Sequence, residues 1–169
     1  KVHIATHAEF KPGGPAASRL YSGVGAISMQ ELSRLRKKRR GVPLDLVVFS
    51  ACRTALGDEV AELGFSGLAL QAGARSAIGT LWYVDDVATS AYFVLLYRYL
   101  EQGVLKANAM QLTRQAFLRG QVRLVADQIL GPDDQPLLNQ LSLAQQRRVS
   151  QGLENPFYWS GISLLGAPW

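Results

Sequence analysis

Asp45-Leu46-Val47-Val48-Phe49-Ser50-Ala51-Cys52-Arg53-Thr54-Ala55-Leu56-Gly57 is the stretch around which the rest of the chain can be read. Leu46 to Phe49 is a compact apolar run of β-formers that breaks into small polar residues and ends at Gly57. A strand buried on both faces looks like this where it empties into a loop, because neither face is left for polar side chains. The only cysteine of the chain, Cys52, stands at that exit. Open α/β sheets carry their chemistry outside the carboxyl ends of the strands, so Cys52 is where a nucleophile would be presented. The competing reading is a packing role, since free cysteine is among the most buried residue types.

A second exit answers the first. Lys1-Val2-His3-Ile4-Ala5-Thr6-His7 alternates, then turns small and polar. Residues 1 to 6 read as a central strand that delivers His7 to a loop. Cys52 follows His7 by 45 positions, near the offset of about 50 between histidine and cysteine in caspases. The Gln-Ala-Cys signature of those enzymes is here Ser50-Ala51-Cys52. His3, four residues before His7 and inside the strand, reads as a structural histidine.

His3-Ile4-Ala5-Thr6-His7, the Leu46–Gly57 stretch, Ala72-Gly73-Ala74-Arg75-Ser76, Leu81-Trp82-Tyr83-Val84-Asp85-Asp86 and Asn155-Pro156-Phe157-Tyr158-Trp159 occur in that order. Together they resemble the CHAT domain, a caspase-like cysteine peptidase module often joined to tetratricopeptide repeats and distantly related to separases. The resemblance spans nearly the whole chain and is weakest over residues 119 to 154. It implies an α/β fold, a three-layer caspase-like sandwich around a mostly parallel sheet, as a single domain over residues 1–169. It implies His7 and Cys52 as a catalytic dyad, with the backbone N–H groups of Ala8 and Cys52 as the oxyanion hole. No third triad member, metal or organic cofactor is implied. The family usually has glycine after the histidine and often an acidic residue after the cysteine; here these are Ala8 and Arg53. Caspase-like sheets also carry strands ahead of the histidine strand. A chain that opens at Lys1 inside a strand is therefore expected to be the C-terminal portion of a longer protein, its first strands absent or on another chain.

Asp85 and Asp86 follow a further buried strand, Arg75 to Leu81, and precede a helix, Val87 to Gln102. Capping that helix is one role open to either carboxylate. The other is to line a substrate pocket, where a carboxylate would pair with an arginine before the cut. Separases carry an acidic residue in the corresponding loop and prefer arginine, so the resemblance implies the same preference here.

With 169 residues, 48% hydrophobic and 18% charged, the chain can bury a real core. One cysteine excludes an intrachain disulfide and, with two histidines, a Cys-based zinc cluster. It fits a reducing compartment, and a cytoplasmic, bacterial setting is expected. No apolar run is long enough for a membrane span and no signal peptide opens the chain. The net charge of +5 is concentrated in Arg34, Arg36, Lys37, Lys38, Arg39 and Arg40, without which the chain is close to neutral. That segment reads as a helix end, where cations suit the dipole, and any nucleic-acid contact is indirect.

Glu9 to Gly25 is rich in Gly, Pro and Ser and reads as a loop. Ser28-Met29-Gln30-Glu31 has the capping-box pattern, opening a helix with Leu32 and Leu35 inward. Phe65 to Ala72 reads as a short helix stopped by Gly73. Lys106 to Leu118 reads as a helix amphipathic through Ala109, Leu112, Ala116 and Phe117. Gln121 to Leu153 suggests two helical pieces around Gly131-Pro132-Asp133-Asp134, and Phe157 to Leu165 a last strand. The implied function is hydrolysis of protein substrates, switched by a tetratricopeptide-repeat region or the upstream half of the same protein. The alternatives are a catalytically inactive caspase-like interaction module and an α/β domain with a structural Cys52.

Overall fold

The computed structural model describes residues 1–5, 8–9, 19–22, 25–28, 31, 42–50, 64–82 and 84–169. These form two compact units, one of Lys1–Tyr83 with Ile162–Pro168, the other of Val84–Gly161 with Trp169.

The first unit is built on a four-stranded sheet of β1 (Val2–Ile4), β5 (Leu44–Phe49), β6 (Ala74–Thr80) and β10 (Ile162–Gly166), in that order. β1, β5 and β6 run parallel, and β10 closes the far side antiparallel to β6. This is the mixed α/β class with a mostly parallel sheet that the apolar run at Leu46 announces. Leu46, Val47, Val48 and Phe49 are all buried, so both faces of β5 are covered, as its unbroken hydrophobicity requires. Helix α1 (Gly64–Gln71) packs on the sheet, where Val47, Phe49, Ala69, Ala74 and Ala77 make one core with Ile4, Leu44 and Leu70. A Cβ on Gly79 of β6 would sit 2.5 Å from the buried Ser66 hydroxyl of α1, so glycine permits this close approach. Gly73 ends the helix with φ +88°, the left-handed stop that glycine adopts without a Cβ clash.

Two expectations are corrected in this unit. β1 pairs only with β5 among the described residues, and its side chains are exposed or half-buried. The strand read as central is therefore an edge here. The stretch read as a loop holds a small antiparallel sheet of β2 (Ala8–Glu9), β3 (Arg19–Ser22) and β4 (Gly25–Ser28). The β3–β4 pairing runs from Arg19 opposite Ser28 to Ser22 opposite Gly25. The pieces are too short for periodicity to reveal. The capping box is present: Glu31 accepts from the Ser28 N–H and hydroxyl at 2.8 and 2.9 Å, and the Glu31 N–H donates to Ser28 Oγ at 3.3 Å. The helix expected beyond it, with Leu32, Leu35 and the basic cluster, lies outside the described residues.

In the second unit, α2 (Asp86–Glu101) packs on α3 (Lys106–Leu118). Tyr92 and Phe117, both fully buried, meet with ring centroids 5.7 Å apart. The apolar stripe of α3 is Ala109, Met110, Ala116 and Phe117 with Thr113, while Leu112 is exposed. Residues Gln121 to Leu153 are not two helical pieces. They form an antiparallel sheet of β7 (Arg123–Val125), β8 (Gln128–Leu130) and β9 (Pro136–Leu138), followed by α4 (Leu143–Val149) with a Ser142/Gln145 capping box. Arg98 of α2 ties to this sheet by donating to the Pro136 carbonyl. Asn155 caps a short 3-10 turn, Pro156–Tyr158, so the final strand starts later than expected, at Ile162.

Candidate active site

The site begins with strand register. In the β1–β5 pair, Val2 faces Val47, His3 faces Val48 and Ile4 faces Phe49. The ladder continues one step further, with the Ser50 N–H donating to the Ile4 carbonyl at 3.2 Å. Each pair is separated by the same 45 positions that separate His7 from Cys52. Two neighbouring parallel strands thus run toward their carboxyl ends in step, one leading to His7 and the other to Cys52. His7 and Cys52 themselves lie outside the described residues. Ala8 opens β2 opposite Leu20. It is not among the described residues with positive φ, so alanine bears no left-handed penalty at the position where the family usually has glycine.

A contact that the sequence reading did not foresee sits at this strand end. His3 Nε2 lies 2.8 Å from Ser50 Oγ. His3 faces Val48, and Ser50 stands one residue past the end of β5, within reach of the His3 ring. Partial burial holds the His3 imidazole below its ordinary value of 6.5, favouring the neutral ring. Counting parity across the two strands is the signal that would have found the pair.

In the second unit, Asp85 is the N-cap of α2. Its Oδ1 accepts from the Val87 and Ala88 N–H groups at 2.8 and 3.2 Å, and its Oδ2 lies 3.3 Å from Arg148 Nε. The half-exposed Arg148, on α4, is a partner that sequence spacing could not supply. Asp86 occupies the first turn of α2 and is exposed. The capping role therefore falls to Asp85, and Asp86 has the carboxylate turned to solvent.

Among the described residues, no three or more His, Cys, Asp or Glu are grouped to hold a metal ion. No described helix is long and apolar enough to cross a membrane. No curated protein matches the chain. The family model of the CHAT domain matches residues 1–167. With that match over essentially the full length, and with a mostly parallel sheet, the chain belongs to the CHAT domain family, which is caspase-like and peptidase-related.

Proposed function

We propose that the chain is a cysteine endopeptidase that hydrolyses protein substrates with a Cys52–His7 dyad. The observation that supports this most is the shared register: β1 and β5 are adjacent, parallel and in step, at the offset that separates His7 from Cys52. In this reading the Cys52 thiolate attacks the scissile carbonyl and forms a thioester acyl-enzyme. His7 takes the thiol proton and gives it to the departing amine, and water then releases the acyl group. Backbone N–H groups at Ala8 and Cys52 hold the developing oxyanion. No metal or organic cofactor is required.

The acidic pair at the start of α2 is proposed to select a basic residue before the cut. Asp85 already serves two backbone N–H groups and Arg148, so the exposed Asp86 is the better partner for a substrate guanidinium. Control would come from a tetratricopeptide-repeat region or an upstream part of the same protein, in a reducing cytoplasm that keeps the thiol free. A peptide library tests the proposal. Cleavage lost in both Cys52→Ala and His7→Ala, with Arg or Lys before the cut, supports it. Cleavage that survives both substitutions removes this dyad from the mechanism.

A further inference from the structure

We propose that His3 and Ser50 are positioning residues for the reactive thiol. The inference rests on the reading of Cys52 as nucleophile and adds the device that fixes the strand from which it is presented.

The β1–β5 pairing reaches as far as Ser50 among the described residues. Its last described backbone bond is Ser50 N–H to Ile4 O, at 3.2 Å. Backbone pairing is generally weaker toward the ends of strands than in their middle. At this one residue a second bond is added, from side chain to side chain, between Ser50 Oγ and His3 Nε2 at 2.8 Å. The two strands are thus clamped at Ser50 by one main-chain and one side-chain bond. Along the sequence, Cys52 is two residues beyond Ser50 and His7 is four beyond His3. One contact therefore ties together the strands leading to both members of the proposed dyad. Small misplacement of a reacting group is costly in rate, so an anchor this close to the nucleophile has leverage. The pair needs no charge: a hydroxyl and a neutral imidazole each supply a donor and an acceptor. What it needs is an atom at the Nε2 position that can hydrogen-bond, and a hydroxyl at residue 50. Glutamine places an amide nitrogen near the Nε2 position, and threonine keeps the hydroxyl.

Cys52 is the only cysteine, so alkylation by iodoacetamide at neutral pH reports on it alone. The rate is measured on the intact chain for wild type, His7→Ala, His3→Ala, His3→Gln, Ser50→Ala, Ser50→Thr and the double variant His3→Ala/Ser50→Ala. A hydrogen bond of ordinary net strength corresponds to a factor of about five. His3→Ala and Ser50→Ala are each expected to slow alkylation about fivefold. The double variant should be no slower than His3→Ala, because Ser50→Ala removes a bond that His3→Ala has already removed. His3→Gln and Ser50→Thr should recover the rate to within about twofold of wild type. Should His3→Ala fail to fold, the Gln and Thr variants and Ser50→Ala still decide. A wild-type rate that depends on His7 but is indifferent to Ser50→Ala overturns this inference alone, as does a loss in His3→Ala that His3→Gln shares. A wild-type thiol no faster than in His7→Ala overturns the nucleophile reading itself.

Discussion

At Asp85 one carboxylate does two things: Oδ1 satisfies two N–H groups at the start of α2, and Oδ2 meets Arg148. The two contributions separate by substitution. Asp85→Ala should destabilise the protein by about 1–2 kcal/mol, the ordinary value of a lost N-cap plus a weak ion pair. Asp85→Asn keeps a capping oxygen and should cost less than about 1 kcal/mol, because Arg148 is half-exposed. Urea unfolding midpoints distinguish these outcomes. Tyr92 makes a different prediction. Burial pushes its phenol from 10.0 up to about 12, with Arg114 pulling more weakly the other way. Above pH 10 the unfolded chain releases this proton while the folded one retains it, so stability is full below pH 10 and falls as pH rises toward 12. Tyr92→Phe should make that alkaline decline shallower in circular-dichroism melts. Tyr97, shifted to about 12 for the same reason, leaves part of it. His3 has the opposite sense: its lowered value means the unfolded chain binds the proton more readily. Its contribution is whole above 6.5 and is lost as pH falls below that value. The residue scale is also where the sequence says least. The Asp85 cap was legible as one of two candidates, but Arg148 is 63 positions away and nothing in its neighbourhood points back.

Elements were legible where a long pattern or a strong terminator marked them. The β5 run, the Gly73 stop and the limits of α3 could all be read from side-chain type alone. The β7–β8 hairpin could not. Val125 pairs with Gln128, leaving Ala126-Asp127 as the turn, and Ala126 takes φ +53°. A tight hairpin of this kind normally advertises itself with Asn-Gly or a leading Gly. Here alanine occupies the left-handed position, so the segment passed for helix. Left-handed alanine costs roughly 1–2 kcal/mol, and glycine's extra unfolded-state freedom offsets roughly 0.5–1 kcal/mol of what would be recovered. Ala126→Gly is therefore expected to raise stability by about 0.5 kcal/mol, read as a higher urea midpoint. On α3, counting apolar residues put Leu112 inward, yet Met110 and Thr113 face the core and Leu112 does not. Leu112→Gln should change stability by less than about 0.5 kcal/mol, whereas Met110→Ala should cost about 2–5 kcal/mol.

At the scale of the whole chain, what could be read was the sheet's logic and not its edges. An alternating strand and a buried apolar one, each with a small polar exit, suggested a mostly parallel sheet, and in it β1 and β5 are parallel neighbours. That β1 has β5 as its one neighbour among the described residues could not be read, because a strand's neighbours are set by partners distant in sequence. The first unit also depends on its last strand: β10 covers β6 from Ile162 to Gly166, and Ser76 Oγ donates to the Ala167 carbonyl at 2.6 Å. Removing residues 162–169 would leave the β6 edge unpaired, and the shortened chain is expected to aggregate, which light scattering would register. His7 and Cys52, the site residues the sequence suggests, lie outside the described residues, and the contact between His3 and Ser50 emerges only once the strands are paired. The distance between Cys52 Sγ and the His7 imidazole, in a crystal structure of the protein bearing a covalently bound peptidyl electrophile, tests the account most directly. The account predicts that the two groups share one side of the sheet, within hydrogen-bond reach or one bridging water. Side chains on opposite faces of the sheet would contradict it.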